Sequence, residues 1–320
     1  MLSEAMEIRY ADYRWSEEHP IFFSGDYLGS LESPYGWIGG YEDGTLRYLL
    51  PFTTHTKLCH RSILFHYGTL ALDPSAPPAG EQEFLDRLIP FLRSAGIDTV
   101  VRSPLVGFFA RYPEGAAHAP YGNYALDLSQ PEEAIWAGMS RNHRRQIRRL
   151  QEDGYTVERG MQHLDTACDF VRATMERSGA AAPDKRLLRT MVENLADYAE
   201  IFTSFHDGRP VGSIVTLFSR YAAFCIHAGG DHAHLLDFEA IRYFRSIGVR
   251  RYDFCGAHLN APPGSKFDGI RQFKRGFGTT EETGWIWKYS LSRTKGVVRD
   301  LYGSLRHAPG DTDAYAWSDR

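Results

Sequence analysis

The spacing of apolar residues between positions 21 and 128 predicts mostly β-strands. Short segments rich in β-branched and aromatic residues are bounded by Gly, Pro or Asp, at residues 35–40, 46–52, 62–67, 99–103 and 123–128. Glu42-Asp43-Gly44 predicts a hairpin turn between the first two strands. Apolar residues at helical spacing from Phe84 to Leu92 predict one helix, which Pro90 kinks and Gly96 ends.

After residue 128 the pattern changes to alternating helices and strands. It predicts helices at residues 131–153, 164–178, 185–196, 235–247, 270–277 and 291–305. The predicted strands are residues 155–158, 200–206, 210–218, 221–228, 251–255 and 285–289. Asp207-Gly208 predicts a hairpin turn between the second and third of them.

The order of these elements predicts an α/β protein. A strand, two helices, three strands and then helix–strand–helix–strand resembles the GNAT (acyl-CoA N-acyltransferase) fold, and the first half is a reduced version of the same order. We therefore expect two GNAT-like domains in tandem, with mixed, mostly antiparallel sheets flanked by helices. The predicted domains are residues 1–128 and 129–290, with the tail (residues 291–320) packing back on the first.

Composition and charge limit the possible partners. A chain of 320 residues with 43% hydrophobic and 24% charged residues is typical of a globular protein of two domains. The net charge of -4 provides no general attraction for nucleic acid, so any polyanion must bind a local basic patch.

The sequence predicts a cytoplasmic protein. No apolar run approaches the roughly 18 residues that span a bilayer, and the acidic N-terminal segment lacks the apolar stretch of a signal peptide. The cysteines, Cys59, Cys168, Cys225 and Cys255, have no CxxC spacing, so we expect reduced thiols without a disulfide framework or a zinc ribbon.

A strongly basic segment, SRNHRRQIRRLQ, occupies residues 140–151. Its arginines stack on neighbouring turns of a helix with no acidic residue among them, which favours contact with phosphate groups; they are Arg141, Arg144, Arg145, Arg148 and Arg149. The alternative is a solvated helix face. An apolar stripe, Trp136, Met139, Ile147 and Leu150, would anchor this helix to the fold.

A second motif combines YDFCGAH (residues 252–258) with GIRQFKRGFG (residues 269–278). The first predicts a strand that ends in a turn, where ligands bind in open α/β sheets. The second predicts a short helix that places Arg271, Lys274 and Arg275 beside Phe273. A lysine held over an aromatic ring by cation–π attraction can present its ammonium to a developing oxyanion.

The two motifs in this order resemble the FemXAB family of aminoacyl-tRNA-dependent transferases and the related CelD/BioF-like acyltransferases. The resemblance covers residues 130–290 by motif. It implies transfer of an amino acid from aminoacyl-tRNA, as co-substrate and without a bound cofactor, to an amine. The acceptor would be a cell-wall precursor or a small peptide or peptidyl-nucleoside antibiotic intermediate, free or bound to a carrier protein. The long tRNA-gripping helical hairpin of some members is absent from this sequence.

By matching position, the resemblance implies roles for several residues. Lys274 falls on the lysine that stabilises the transition state, and Phe273 falls on its aromatic neighbour. The basic segment of the family corresponds to Arg144, Arg145 and Arg148. We add Arg141, Arg271 and Arg275 as candidate ligands of tRNA phosphates.

Other residues have both a chemical and a structural interpretation. Asp253 either orients the acceptor amine or caps the end of a strand. Cys255 has no matched base and is a poor candidate nucleophile. The histidines of HAGGDHAHLLD (residues 227–237) lack a recognised zinc spacing, so we expect no metal and assign them to the turn that caps the next helix.

Two further features bear on the donor and the acceptor. The QxxGxG/A signature of acetyl-CoA enzymes is missing, and Gly229-Gly230 is its remnant. In the first half, Trp37, His55, Lys57 and Tyr67 lie on predicted strands rich in aromatic residues and histidines. They form either an acceptor pocket or an aromatic core.

The sequence therefore supports three hypotheses. The leading one is an aminoacyl-tRNA-dependent transferase that forms an amide bond. The second is an N-acyltransferase that uses acyl-CoA or an acyl-carrier protein, and the third is a non-catalytic RNA-binding protein.

Overall fold

The computed structural model describes residues 6–73, 78–104, 106–178 and 183–292. Its α-helices are α1 (Gly25–Gly29), α2 (Pro78–Ser94), α3 (Glu132–Gly138), α4 (Arg141–Glu152), α5 (Leu164–Arg177), α6 (Lys185–Asn194), α7 (Ala233–Ser246) and α8 (Lys266–Arg275). The strands of the first half are β1 (Glu7–Ala11), β2 (Tyr35–Glu42), β3 (Thr45–Lys57), β4 (His60–Phe65), β5 (Leu70–Ala71), β6 (Thr99–Val101) and β7 (Ala117–Asp127). Those of the second half are β8 (Thr156–Arg159), β9 (Ala199–His206), β10 (Arg209–Phe218), β11 (Ala223–Gly230), β12 (Arg251–His258) and β13 (Thr280–Ser290).

The order of strands in the sheet shows that the two halves have the same architecture. The strands run β1-β2-β3-β4-β6-β13-β7-β12-β11-β10-β9-β8, and β5 pairs with β3 outside this path. From either end of the sheet, the first four strands are antiparallel to their neighbours. The fourth strand then pairs in parallel with the fifth, which is β4 with β6 in the first half and β11 with β12 in the second. This confirms the predicted fold class, two GNAT-like halves in tandem.

The halves exchange their last strands at the centre of the sheet. β7, which ends the first half, lies between β12 and β13, with Asn123 opposite both Gly256 and Glu282. β13 ends the second half, and its Tyr289 pairs with Val100 of β6. Backbone hydrogen bonds therefore join the halves. The predicted domain boundary at residue 128 follows the exchanged strand and stays a prediction, and the tail from residue 293 lies outside the described residues.

Helices cover both faces of the second half. On β10, Ile214 belongs to a buried cluster with α4 and α7, whereas Val215 belongs to a cluster with α5 and α6. Adjacent strand residues point to opposite faces, so the two helix pairs lie on opposite sides of the sheet. The α5–α6 cluster also contains Phe22 and Leu28 of the first half, and α2 covers a third cluster there.

Both predicted hairpin turns are confirmed. Asp43 and Gly44 have φ values of 49° and 74°, and Asp207 and Gly208 have 49° and 71°. Two consecutive residues with positive φ form the tight turn that matches the twist of paired strands, and Asp-Gly is a favoured sequence for it.

The single helix predicted for residues 131–153 is wrong, because the structure has two helices there. Met139 and Ser140 are extended, with ψ of 146° and 149°. The Ser140 N–H donates to the Gly276 carbonyl at 2.8 Å, and its hydroxyl accepts the His143 N–H at 3.2 Å. A contact with a distant segment therefore replaces the helical hydrogen bonds at this point, although the apolar period continues through it.

Within the described residues, no helix combines the length and the apolar character needed to cross a bilayer.

Candidate functional site

The parallel strands β11 and β12 separate soon after they pair. Their pairing covers only Ala223 with Tyr252 and Phe224 with Asp253. Just beyond this point β12 bulges: its register with β7 shifts between Asp253 and Gly256, and Cys255 has a φ of 59°. A bulge leaves backbone groups without ladder partners, so the carbonyls of Cys255 and Gly256 need other donors.

Lys274 of α8 supplies those donors. Its side chain is buried, with 8% exposed, and its Nζ donates to the carbonyls of Cys255 and Gly256, each at 2.9 Å. Burial lowers the pKa of the Lys274 ammonium, and the nearby carboxyls of Asp253 and Asp237 oppose that shift. An ammonium has three N–H donors, so one remains available after these two bonds.

The predicted cation–π position of Lys274 is wrong. Among the described residues, no cation–π pair includes Lys274, and its Nζ bonds to the two carbonyls instead. Phe273 points to another side of α8, where its ring lies 4.9 Å from that of His234. Consecutive helical residues are about 100° apart around the axis, so the two neighbours meet different surroundings.

Asp253 holds the bulge from the strand side. It is 1% exposed, and its carboxylate accepts hydrogen bonds from Asn123 Nδ2 at 2.6 Å, Arg251 Nη2 at 3.0 Å and the Cys255 N–H at 2.8 Å. Burial raises the pKa of Asp253, while Arg251 and the other donors oppose the rise. These bonds give Asp253 the structural task of a cap, and its role in orienting an amine stays a prediction.

The space between β11 and β12 holds further buried ionisable groups that the sequence did not identify as a cluster. Asp237 of α7 accepts a hydrogen bond from the Tyr252 hydroxyl at 2.7 Å, and burial raises the pKa of Asp237 to about 7. Burial also raises the pKa of the Cys255 thiol, which donates to the Cys225 carbonyl at 3.2 Å. A buried thiol that stays protonated is a poor nucleophile, which disfavours covalent catalysis by Cys255.

The corresponding place in the first half is filled by aromatic rings. Beyond the end of β6, at the last residue of β4, Phe65, Phe109 and Trp287 pack with ring centroids 5.3–6.3 Å apart, and each is at most 1% exposed. The two halves thus share a backbone plan, but the ionisable cluster lies between β11 and β12 of the second half.

His143 joins the basic helix to α8, and the sequence did not reveal this role. Its ring is 5% exposed; Nδ1 lies 3.0 Å from Ser140 Oγ, and Nε2 lies 2.8 Å from the Phe273 carbonyl oxygen. A carbonyl only accepts, so the Nε2 of His143 carries a proton. Burial lowers the pKa of His143, which favours the neutral ring. Helix α4 is thereby attached directly beside Phe273 and Lys274.

Four arginines of α4 carry charge that the fold does not neutralise. Within the described residues, no carboxylate forms an ion pair with Arg141, Arg144, Arg145 or Arg148, whereas Arg149 pairs with Asp153 at 3.4 Å. All but the half-buried Arg144 are exposed, and Arg148 lies 5.3 Å from the centre of the Trp136 ring. We call these four residues the arginine row. The predicted basic surface is present, and phosphate binding by it stays a prediction.

The two arginines of α8 have internal partners instead. Arg271 is 15% exposed at its side chain, and its Nη1 donates to the Leu259 carbonyl at 2.8 Å. Arg275 donates from Nε to Glu281 at 3.1 Å. Their contribution to phosphate binding also stays a prediction, but a phosphate would have to compete with these partners.

A surface pocket of about 530 Å³ lies between α4, the start of α7 and α8. It is lined by Asn142, His143, His234, Gly269, Gln272 and Phe273, among others. We call it the α4–α8 pocket. The arginine row begins at its edge, because Arg141 lies between the lining residues Ser140 and Asn142.

The remaining histidines of the 227–237 segment have packing positions. In the part of the chain that the structure describes, no group of three His, Cys, Asp or Glu side chains could hold a metal ion. Helix α7 begins at Ala233, and its N-cap residue is His232, in a left-handed conformation and without a side-chain capping bond. Gly229 lies against α5, where a Cβ would come within 2.3 Å of the Phe170 backbone.

The candidate acceptor residues of the first half divide into two groups. Trp37 donates from Nε1 to the Phe23 carbonyl at 3.0 Å, and Tyr67 stacks on Phe22 at 5.7 Å. Both pack on the cluster shared between the halves, which supports the aromatic-core interpretation for these two. His55 and Lys57 are exposed near the end of β3, on the face that also carries Trp37. Acceptor binding by these four residues stays a prediction.

The close packing of His143 on α8 leads to a stability prediction. A Cβ at Gly276 would come within 2.0 Å of His143 Cε1, whereas a Cβ at Gly269 would meet nothing within 4 Å. We expect Gly276→Ala to lower the free energy of unfolding by about 1–3 kcal/mol through overpacking. The matched control Gly269→Ala should raise it by about 0.5–1 kcal/mol, because alanine favours helix. Urea titration of both variants measures the difference, and equal effects would contradict the His143 contact.

Comparisons with known proteins agree with this architecture. Residues 137–275, which include α4, the β11–β12 region and Lys274, match the family model described as Acetyltransferase (GNAT) domain. No curated protein matches the sequence significantly. With the fold, the family match supports an acyltransferase.

Several solved structures are similar to this chain at low sequence identity. One described as FemX has a TM-score of 0.66 at 14% identity, over 89% of this chain and 96% of that one. One described as L-PGS from Bacillus licheniformis has a TM-score of 0.51 at 13% identity, over 92% and 98%. A tandem GNAT protein from the clavulanic acid biosynthesis pathway has a TM-score of 0.46 at 12% identity, over 90% and 99%.

Proposed function

We propose that this protein is an aminoacyltransferase that forms an amide bond, moving an amino acid from aminoacyl-tRNA to an amine. The acceptor is a small peptide or a peptidyl nucleoside, such as an antibiotic intermediate or a cell-wall precursor, and the reaction takes place in the cytoplasm. One observation carries the proposal: His143 attaches the unpaired arginine row directly to the helix that bears Lys274.

The distribution of charge on the protein indicates where the donor binds. The whole chain has a net charge of -4, so a polyanion binds where cations are concentrated. The arginine row is such a place, and guanidinium groups bind phosphate oxygens through paired N–H donors. Contacts to phosphates position a nucleic acid without reading its sequence, so the row fits any charged tRNA.

The chemistry assigned to Lys274 is stabilisation of an oxyanion. The acceptor amine attacks the ester carbonyl of the aminoacyl group, a C–N bond forms, and negative charge develops on the carbonyl oxygen. The C–O bond to the ribose then breaks, and the proton lost by the amine is gained by the ribose oxygen. The third N–H of Lys274 is the donor available to the developing oxyanion, in a buried place where electrostatic interactions are strong.

The acceptor side is assigned to the first half, residues 1–128. His55 and Lys57 are exposed there and can contact polar or anionic groups of the acceptor, while Trp37 and Tyr67 pack against the cluster shared between the halves. A free acceptor and one tethered to a carrier protein both fit an open face of this kind.

A second candidate is an N-acyltransferase that uses acyl-CoA or an acyl-carrier protein. The match of residues 137–275 to an acetyltransferase domain and the separation of β11 from β12 favour it. A non-catalytic RNA-binding protein is the least favoured candidate, because it gives the buried Lys274 ammonium no task beyond the bulge.

A turnover assay tests the proposal. The protein is incubated with charged total tRNA and a mixture of small peptide amines, with and without prior RNase treatment, and in parallel with acetyl-CoA. We expect amide products that RNase abolishes. Products that survive RNase and require the thioester would reject the aminoacyl-tRNA donor and favour the second candidate.

The lowered pKa of Lys274 leads to a prediction about pH. Only the ammonium form stabilises the oxyanion, so kcat should fall as the pH rises through the pKa of Lys274. Since burial lowers that pKa, the alkaline limb should lie below the ordinary value of about 10.4 for lysine. The measurement is a pH profile of kcat. In Lys274→Met, the residual activity should lack this limb, and a limb that persists would assign it to another group.

A further inference from the structure

We propose that the α4–α8 pocket binds the adenosine at the reactive end of the donor, by stacking of the adenine ring. This inference rests on the proposed function and names the part of the donor that the site recognises.

Three aromatic rings of the pocket lining pack edge to face, with His234 inclined at 71° to His143 and at 77° to Phe273. The ring of His234 lies 4.5 Å from that of His143 and 4.9 Å from that of Phe273, measured between centroids. Burial lowers the pKa of His234 to about 4, so its imidazole is neutral at pH 7. Neutral aromatic rings are the stacking platforms on which proteins hold unpaired bases.

The same lining offers hydrogen bonds to the edge of a base. Among the described residues, His234 makes no hydrogen bond through its ring nitrogens, whereas both nitrogens of His143 are engaged. Asn142 accepts from Arg145 Nη2 at 3.0 Å through Oδ1, which leaves its amide N–H groups for a ligand. Asparagine beside a stacking surface is a residue type that pairs with adenine.

The arginine row leads away from this pocket. From Arg141 to Arg148 the helix rises about 10 Å at about 1.5 Å per residue, so the row extends well beyond the edge of the pocket. A terminal nucleoside in the pocket would therefore place the preceding phosphates along the row. This arrangement, a basic track that ends in a stacking platform, is characteristic of single-strand binding.

A second surface pocket within the described residues has no unpaired arginine of this kind. It measures about 400 Å³ and contains Arg159 and Arg242, but both are paired with carboxylates, Arg159 with Glu200 at 2.8 Å and Arg242 with Glu132 at 2.9 Å. The α4–α8 pocket also has a volume in the range of ordinary ligand sites.

Both possible donors contain an adenosine at one end, since aminoacyl-tRNA terminates in adenosine and coenzyme A carries an adenosine nucleotide. The first arm of the test therefore uses RNA. Binding of a labelled hairpin RNA ending in CCA is compared with binding of the same hairpin ending in CC, by fluorescence anisotropy at fixed salt. We expect removal of the terminal adenosine to weaken binding to the wild-type protein by about 5- to 100-fold.

Variants assign this preference to the pocket. In His234→Ala, the ratio between the two RNAs should fall to about twofold or less, because the stacking partner is gone. Gly269→Leu should have the same effect by filling the pocket, and its Cβ meets nothing within 4 Å, so the fold tolerates it. The matched control is His206→Ala, which removes a ring that stacks on Tyr155 at 4.2 Å outside the pocket and should retain the full ratio.

The second arm compares coenzyme A with phosphopantetheine, which lacks the adenosine nucleotide, by calorimetry. One outcome is a preference for coenzyme A that disappears in His234→Ala and Gly269→Leu, while the terminal adenosine has no effect on RNA binding. That outcome would retain the pocket as an adenosine site and identify coenzyme A as the donor. The RNase sensitivity of the turnover assay tests the proposed function separately, because products that survive RNase would reject the aminoacyl-tRNA donor whatever the pocket binds. If neither arm shows an adenosine preference that depends on His234 or Gly269, the inference is wrong.

Discussion

Replacement of Lys274 by methionine should lower kcat by about 10²–10³-fold, while KM for the donor changes little. Loss of one donor to an oxyanion has effects of this size, because the donor acts on charge that appears only in the transition state. Methionine retains much of the length and apolar surface of the lysine stem. The measurement is single-turnover kinetics with saturating charged tRNA.

The same change must be separated from a loss of stability. The Lys274 ammonium also bonds to the carbonyls of Cys255 and Gly256, and each carbonyl left without a partner costs about 1–3 kcal/mol when buried. Rates should therefore be expressed per folded molecule, with the folded fraction taken from urea titration.

The neighbouring residue provides the control. Arg275→Met also removes a cation from α8, but Arg275 is half-exposed and pairs with Glu281, so kcat should change by less than about threefold. If Lys274→Met folds and retains a kcat close to that of Arg275→Met, Lys274 has only a structural role in the bulge, and the proposed chemistry must be abandoned.

The triple variant Arg141→Gln, Arg144→Gln and Arg148→Gln should raise KM for charged tRNA by about 10- to 100-fold and leave kcat nearly unchanged. These arginines have no carboxylate partner among the described residues, so their charge is available to phosphates. Each contact to a single strand contributes about 0.7 to the slope of log K against log salt concentration. The slope measured with uncharged tRNA should therefore fall by about 2 in magnitude.

The arginine of the same helix that lies outside the arginine row distinguishes this effect from a general loss of charge. Arg149 pairs with Asp153 at 3.4 Å, so Arg149→Gln should change the affinity for tRNA by less than about twofold. An unchanged salt slope in the triple variant, with α4 still folded by circular dichroism, would mean that the row is a solvated surface.

Much of the second half could be predicted from the sequence because its signals are local. The hairpin at Asp207-Gly208 depends on two residues that tolerate positive φ, and the buried face of α7 follows from the spacing of its apolar residues. The limits of α5 and α6 depend on similar short-range patterns, and the structure agrees with them within a few residues.

The break between α3 and α4 shows where such reasoning fails. Ile135, Met139 and Ile147 lie at helical spacing, which predicts one continuous helix through Ser140. The interruption at Ser140 comes from a backbone hydrogen bond to Gly276, a residue more than a hundred positions away. Contacts of this kind leave no periodic signal in one sequence.

The candidate site likewise has features that the sequence predicts and features that depend on distant contacts. The motif around Lys274 and the basic segment were recognisable as sequences, and their resemblance to a family indicated that they act together. The partners of Lys274 were not predictable, since the bulge in β12 that frees two carbonyls depends on pairing with the distant strand β7. The position of His143, four residues after Met139 and four before Ile147, places it on the apolar stripe and is a sign of burial, but its bond to the Phe273 carbonyl depends on the distant helix α8 and was not predictable.

The sequence by itself determined the order of helices and strands, the positions of the tight turns and the location of the basic and lysine-bearing segments, all of which depend on residues close together in the chain. Only the tertiary structure decided that β7 and β13 exchange between the halves, that aromatic rings fill the place in the first half that corresponds to the ionisable cluster, and that one buried imidazole attaches the arginine row to α8. These features depend on contacts between residues far apart in sequence, whose free energy is gained only once both segments are folded.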